Sequence, residues 1–360
     1  MVYVRILVFI LGAFAVLATV GSAIRSVVLP RGVRAKLSRS VFRSTRALFN
    51  LRIGSGNYER ADRVMALYAP VTLLVLVLVW EAVVLTGYAA MYWATENGNW
   101  GEAFEVSGSS LLTLGTAKAE TSVGTVLMFT EAAFGLLLLA LLITFLPSLY
   151  AAFSRRENLV ALLEIRAGSP PSAVEMISRF HRIHGLDRLH GLWVRWEEWF
   201  ADVEETHTSF PALVFFRSPL PNQSWVIAAG AVLDAAALRA STLALPREPE
   251  AELCIRAGYI ALRRIATFYK IDFDDVPKPT DPISISQAEF DEAYDRLADA
   301  GVPLRERTQA WRDFAGWRVN YDTVLIALAG FTVAPEAPWS SDRVGTNFTL
   351  TRSGGAPRAR

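Results

Sequence analysis

Three long apolar runs dominate the first 150 residues, at 2–29, 68–92 and 123–150. Each exceeds the roughly 18 apolar residues that mark a membrane-spanning helix. Arg5 and Arg25 interrupt the first, Glu81 lies inside the second and Glu131 inside the third. Between the second and third comes a stretch of another kind. Residues 103–112 are too short and too polar to span, and the tetrapeptide Thr113-Leu114-Gly115-Thr116 follows them. Irregular backbone at membrane depth is tolerated only where protein buries it or where it lines a watery cavity.

From Asn158 onward the periodicity becomes that of amphipathic helices. It predicts helices over 157–166, 172–184, 192–205, 228–245, 250–269, 287–300 and 304–331, with breaks at Pro170-Pro171, Pro219–Pro221 and Pro277–Pro282. The best strand signal is 212–216. The predicted fold is an all-α membrane protein: three transmembrane helices with a re-entrant pore loop, plus a helical cytoplasmic domain. The boundaries fall at 1–30 for an extra N-terminal transmembrane helix, 31–64 for a basic interfacial segment, 65–156 for a pore module and 157–332 for the helical domain. A flexible tail, 333–360, is rich in Pro, Gly and Ser.

Charge orients the spans. Residues 25–63 carry ten basic side chains, from Arg25 to Arg63, against Glu59 and Asp62, a local charge of +8. Such a loop belongs on the cytoplasmic side. The N-terminus is then external, residues 96–120 face outward with mostly acidic charge, and the chain after Arg155-Arg156 is cytoplasmic. A cleavable signal peptide is the rival reading of residues 1–23, since Gly21-Ser22-Ala23 is similar to a cleavage site; it would leave the basic loop outside. Within that loop Val41, Phe42, Thr45, Leu48, Phe49 and Arg52 share a helical face opposite Arg39, Arg43 and Arg46, the pattern of a helix lying in the membrane interface. Gly54-Ser55-Gly56-Asn57 ends it with turn chemistry.

The order of outer helix, short helix, Thr-x-Gly segment and inner helix resembles the two-helix pore module of the potassium channel superfamily, in a bacterial form with a divergent filter, over residues 65–156. The family filter is Thr-Val-Gly-Tyr-Gly, whose carbonyl rings replace an ion's hydration shell. The resemblance implies that Thr113, Leu114 and Gly115 take its first three positions and Thr116 the tyrosine's. Ala117 stands for the second glycine and Lys118 for the usual aspartate. A left-handed alanine costs roughly 1–2 kcal/mol, so the outer half of the family filter is not expected here, nor strict potassium selectivity. The resemblance further implies a homotetramer, since one short loop cannot surround an ion.

Two further positions enter through this comparison. Glu131, two or three turns past the filter, reads either as a cavity-facing acid that attracts cations or as a group hydrogen-bonded within the bundle. Gly135 resembles the glycine hinge of family inner helices, against the simpler role of allowing close helix packing. Pro147 is a second candidate kink, and Glu81 reads either as a brace behind the short helix, near Ser109 or Ser110, or as a protonated group hydrogen-bonded within the bundle.

The remaining chemistry is sparse. The net charge is +1, and a single cysteine, Cys254, excludes an internal disulfide framework. All four histidines lie between 181 and 207; His181 and His184, at i and i+3, are the candidate metal pair, with His190, Glu205 and His207 as further donors, although no standard zinc spacing is met. Trp193, Trp196 and Trp199 form one aromatic helix face, expected as core. No dinucleotide-binding, phosphate-loop, nucleophile-elbow or metalloprotease motif occurs, and no arginine comb of the voltage-sensor type. The expectation is therefore not an enzyme and no cofactor. The chain reads as a tetrameric channel for monovalent cations (K or Na) in the bacterial inner membrane, without nucleic-acid partners. The alternative is a non-conducting, membrane-anchored helical scaffold or signalling protein.

Overall fold

A computed structural model describes residues 2–27, 36–52, 58–96 and 99–344. The predicted turn at 54–57 and the tail beyond 344 lie outside the described residues. Among the described residues the chain is helical, with a single isolated β-bridge between Leu243 and Leu304. It divides into two compact units. The first runs to Phe153 and includes Thr208–Phe216; the second comprises Ser154–His207 and the chain from Arg217 onward.

The first unit contains α1 (Val2–Val27), α2 (Lys36–Arg52), α3 (Tyr58–Ala66), α4 (Tyr68–Thr95), α5 (Trp100–Leu111) and the first part of α6 (Ser122–Ala167). Three helices are long and apolar enough to cross a membrane: Val2–Val27, Asp62–Thr95 and Ser122–Ala167. The third apolar run does not stop at Tyr150; it continues as one helix to Ala167, so the separate helix expected at 157–166 is the end of α6. Pro147 lies within that continuous helix.

Glycines set the closest approach of α1 and α4. A Cβ on Gly12 would lie 2.5 Å from the Gly87 carbonyl oxygen, and one on Gly87 would lie 3.0 Å from that of Gly12. This is the small-residue packing by which helices associate in lipid, where apolar surface alone supplies no drive. On α2, Val41 and Thr45 are buried, while Leu48 and Leu51 are exposed. Phe42 and Phe49 pack edge-on against Tyr68, and Phe215 meets the same ring. The predicted strand at 212–216 is instead the 3-10 turn Pro211–Phe215. Proline at its first position lacks the N–H that a ladder requires, and the turn closes through bonds from Leu213 N to Phe210 O and from Phe216 N to Leu213 O.

α5 does not continue outward from α4. Trp100 stacks on Trp93 at 5.0 Å between ring centres, Ser107 donates to the Leu85 carbonyl at 2.9 Å, and the Leu111 carbonyl abuts Gly135. Leu85 lies ten residues back from the end of α4, roughly 15 Å at 1.5 Å per residue, and Gly135 lies roughly 20 Å along α6. So α5 runs back alongside both long helices, and its C-terminal end is deep between their termini. With 12 residues it is about 18 Å long, well short of the roughly 30 Å hydrocarbon layer.

The second unit adds α7 (Ala173–Arg182), α8 (Leu189–Ser209), α9 (Trp225–Ser241), α10 (Pro249–Tyr269), α11 (Gln287–Asp299), α12 (Arg307–Arg318) and α13 (Asp322–Thr332). α9 is its axis: nearly every residue is buried, which fits a helix apolar all round. It begins at Trp225 because the Ser224 hydroxyl caps Val226 N at 3.3 Å. The tryptophan face of α8 is core, with Trp193, Trp196 and Trp199 buried.

The helix expected over 304–331 is two helices. Val319–Tyr321 breaks it, and a buried polar network sits at the break. The Arg318 guanidinium donates to Asp234 on α9, to Asp322 Oδ1 at 2.8 Å and to the Trp339 carbonyl; the Tyr321 hydroxyl donates to Asp234 Oδ1 at 2.8 Å. Ser284 donates twice more to Asp322, from its backbone N–H and its hydroxyl. A buried ion pair needs such saturation to be tolerated. The first part of the expected tail is also folded: residues 333–344 include the buried Ala337 and Ser340.

Candidate functional site

The predicted filter lies where α5 turns round. Leu112 caps the helix, Thr113 follows at φ +55°, Thr113 N donates to Ser110 O at 3.1 Å, and Leu114 N donates to Ser109 O at 2.8 Å. This bond pair is the Schellman closure, with Thr113 in the left-handed position usually taken by glycine. Gly115 is left-handed as well, at φ +70°. A left-handed β-branched residue is an outlier and costs on the order of 1–2 kcal/mol. At this turn the left-handed non-glycine residue is Thr113; Ala117, which was not expected to adopt that conformation, is not among the positive-φ residues.

From this turn the chain climbs back beside α5. One hydroxyl, Ser109 Oγ, accepts from Ala117 N at 3.0 Å and donates to Ala117 O at 3.2 Å. Higher up, Ala119 N points at Met128 Sδ at 3.3 Å. At the top, Glu96 at the end of α4 accepts from the Thr121 hydroxyl at 2.6 Å and from the N–H groups of Thr121 and Glu120, both at 3.3 Å. The carboxylate fits only because residue 124 is glycine: a Cβ there would sit 2.1 Å from Glu96 Oε1. The ends of the excursion thus meet at one level, and its tip, residues 112–116, is exposed.

Glu131 is fully buried behind α5. Its Oε1 lies 2.5 Å from Ser107 Oγ and its Oε2 accepts from the Tyr92 hydroxyl at 3.0 Å. Of its two sequence readings, this is the hydrogen-bonded one; the side chain does not face open space. Glu81 is half-buried, and the serines proposed to meet it have other partners: Ser109 holds Ala117, and Ser110 donates to Val106 O at 2.8 Å. The acid that braces α5 is Glu131. A Cβ on Gly135 would lie 2.6 Å from the Leu111 carbonyl oxygen, and α6 is continuous through it, so what Gly135 visibly provides is close approach.

His181 and His184 do not share one helix. α7 ends at Arg182, and His184 stands beyond it in the left-handed conformation at φ +52°, so it leaves the helix face that carries His181. Gly185 N to Phe180 O at 2.8 Å and His184 N to His181 O at 2.9 Å close that end as a second Schellman turn. Among the described residues no group of three or more histidine, cysteine or acidic side chains is arranged to hold a metal. His207 is buried by itself. Its Nδ1 lies 2.8 Å from the Val203 carbonyl and its Nε2 3.2 Å from Arg156 Nη1. A carbonyl only accepts and a guanidinium only donates, so the ring is neutral with its proton on Nδ1. Burial, and then the Arg156 charge, hold its pKa well below the ordinary value.

The residues that tie the excursion together, Glu96, Ser107, Ser109 and Tyr92, carried no motif in the sequence. The only signal was three serines, Ser107, Ser109 and Ser110, in one short helix. No protein-family model, curated protein or solved structure matches the chain.

Proposed function

We propose that the first unit is the pore-forming part of a cation channel. In this reading α5 enters the membrane from the outer face, residues 113–116 return as the ion pathway, and four copies surround one axis. The observation that carries it is the excursion between two spanning helices: a descending helix, a tip with left-handed Thr113 and Gly115, and a return strand clamped by Ser109 and Glu96. Backbone strain of this kind concentrates at functional sites. The exposed tip carries carbonyls and the Thr113 hydroxyl at a depth where lipid offers no hydrogen bonds. Ions and water on a shared axis would supply the partners.

Four Thr113 side chains and the carbonyls of Thr113, Leu114 and Gly115 would make two ion sites. Thr116 and Ala117 do not supply the outer half of a potassium filter, so passage of monovalent cations with weak discrimination is the expectation. Val126, Phe129, Leu136 and Ile143 are exposed on α6 and would pack against neighbouring copies or lipid. The charge asymmetry would place the second unit in the cytoplasm, where it assembles the tetramer or gates it.

One observation favours the non-conducting scaffold instead. The Schellman closure satisfies the end of α5 locally, so the Thr113 conformation also has a purely structural reading. The two readings separate on full-length protein. Its detergent-corrected mass by light scattering, together with potassium and sodium flux from liposomes, supports the channel if a tetramer conducts. A monomer or dimer without flux supports the scaffold.

A further inference from the structure

The second unit contains a cavity of about 220 Å³ with a mixed polar and apolar lining. At roughly 30 Å³ per water it holds about seven water-sized groups. Ala173 and Val174 at the start of α7, Ala231 on α9 and Ala293 on α11 give it small apolar walls, and Trp339 stands at its edge. Trp339 is left-handed at φ +60°, with its carbonyl taken by Arg318 and its ring 5.6 Å from that of Phe314. Asp234 lines the cavity although only 1% of its surface is exposed.

Charge around the cavity is unbalanced. Both hydrogen bonds to Asp234, from Arg318 and Tyr321, arrive at Oδ1; Oδ2 takes none among the described residues. Arg318 is shared between Asp234 and Asp322, and burial pushes the Asp234 carboxyl above its usual range; with both carboxylates ionised this trio keeps one negative charge in excess. Arg343 is likewise shared between Glu289 and Asp342 on the wall, and Glu292 and Arg296 add one charge of each sign. Together five carboxylates stand against three guanidiniums. Buried charge without a partner is costly, and a cation in the cavity would relieve it.

We infer that this cavity binds a small organic ammonium ion, its charged head on Asp234 Oδ2 and its few carbons against the alanine walls. Oδ2 is open to an N–H donor, and the apolar walls suit methylene groups better than a hydrated metal ion. The inference rests on the second unit alone and stands whether or not the first unit conducts.

The test is calorimetric titration of the full-length protein in detergent with n-butylammonium chloride, and with potassium chloride at matched ionic strength. Saturable binding of butylammonium, absent with potassium, is expected. Ala231→Leu fills the cavity without touching a charge and should abolish it. Glu292→Gln, a change at an exposed residue, should weaken it at least threefold, and Asp234→Asn at least tenfold if that variant remains folded. No saturable heat with butylammonium, an equal response to potassium, or unchanged binding in Ala231→Leu would each overturn the proposal.

Discussion

Ser107 Oγ on α5 and Glu131 Oε1 on α6 lie 2.5 Å apart, both side chains with no exposed surface. The same Ser107 oxygen is 2.9 Å from the Leu85 carbonyl on α4. A hydroxyl has one proton and a carbonyl can only accept. That one proton is shared between the Leu85 carbonyl and Glu131 Oε1. Three helices are joined through one hydroxyl.

A consequence is that Glu131→Gln should be mild. Its amide can donate to Ser107 and its carbonyl can accept from Tyr92, so the melting midpoint in detergent and any cation flux should stay near wild type. Glu131→Leu removes both bonds and should cost on the order of 2 kcal/mol, seen as a lower midpoint. An acid facing an ion cavity would give the reverse pattern: reduced flux in Glu131→Gln at unchanged stability.

Gly135 separates packing from hinging in the same way. Alanine there would bring Cβ to 2.6 Å from the Leu111 carbonyl oxygen. Gly135→Ala should force α5 and α6 apart and lower stability by about 1–3 kcal/mol, detected as a lower melting midpoint and a smaller tetramer fraction. A variant of wild-type stability altered only in opening would return Gly135 to the role of a hinge.

The second unit should lose stability below neutral pH through His207. Its folded pKa lies below the ordinary 6.5, so the unfolded chain binds the proton first. The contribution is complete above about pH 6.5 and falls by roughly 1.4 kcal/mol for each pH unit below it. Thermal melts at pH 7.5 and 5.5 should show this, and His207→Gln, which cannot titrate, should flatten the difference. Equal melting of the wild type at both values would contradict the burial of a neutral ring beside Arg156.

The three helices long and apolar enough to cross a membrane were legible because long apolar runs stand out in the sequence. α10 and α11 were legible from helical periodicity, and in the structure Pro249 and the Ser286–Glu289 capping box mark their starts. What failed was decided by tertiary polar contacts. Arg318 falls inside the single helix expected over 304–331, yet it is fully buried and organises the break between α12 and α13. His184 fitted the helical spacing of α7 but is turned out of it by the closure onto Gly185. At the candidate site, Thr113 and Gly115 could be singled out from their order between apolar runs. Their anchors could not, because Ser109 meets Ala117 and Glu96 meets Thr121 only once α5 has folded back.

The most direct measurement is potassium and sodium flux from liposomes containing wild-type protein or Gly115→Asp. Gly115 is left-handed with nothing within 4 Å of an added Cβ, and aspartate is among the residues that best tolerate that conformation. Mass and melting should therefore be unchanged. The account predicts flux in wild-type tetramers and a fall to the level of empty vesicles in Gly115→Asp. Equal flux in both proteins, or none from a wild-type tetramer, would contradict it.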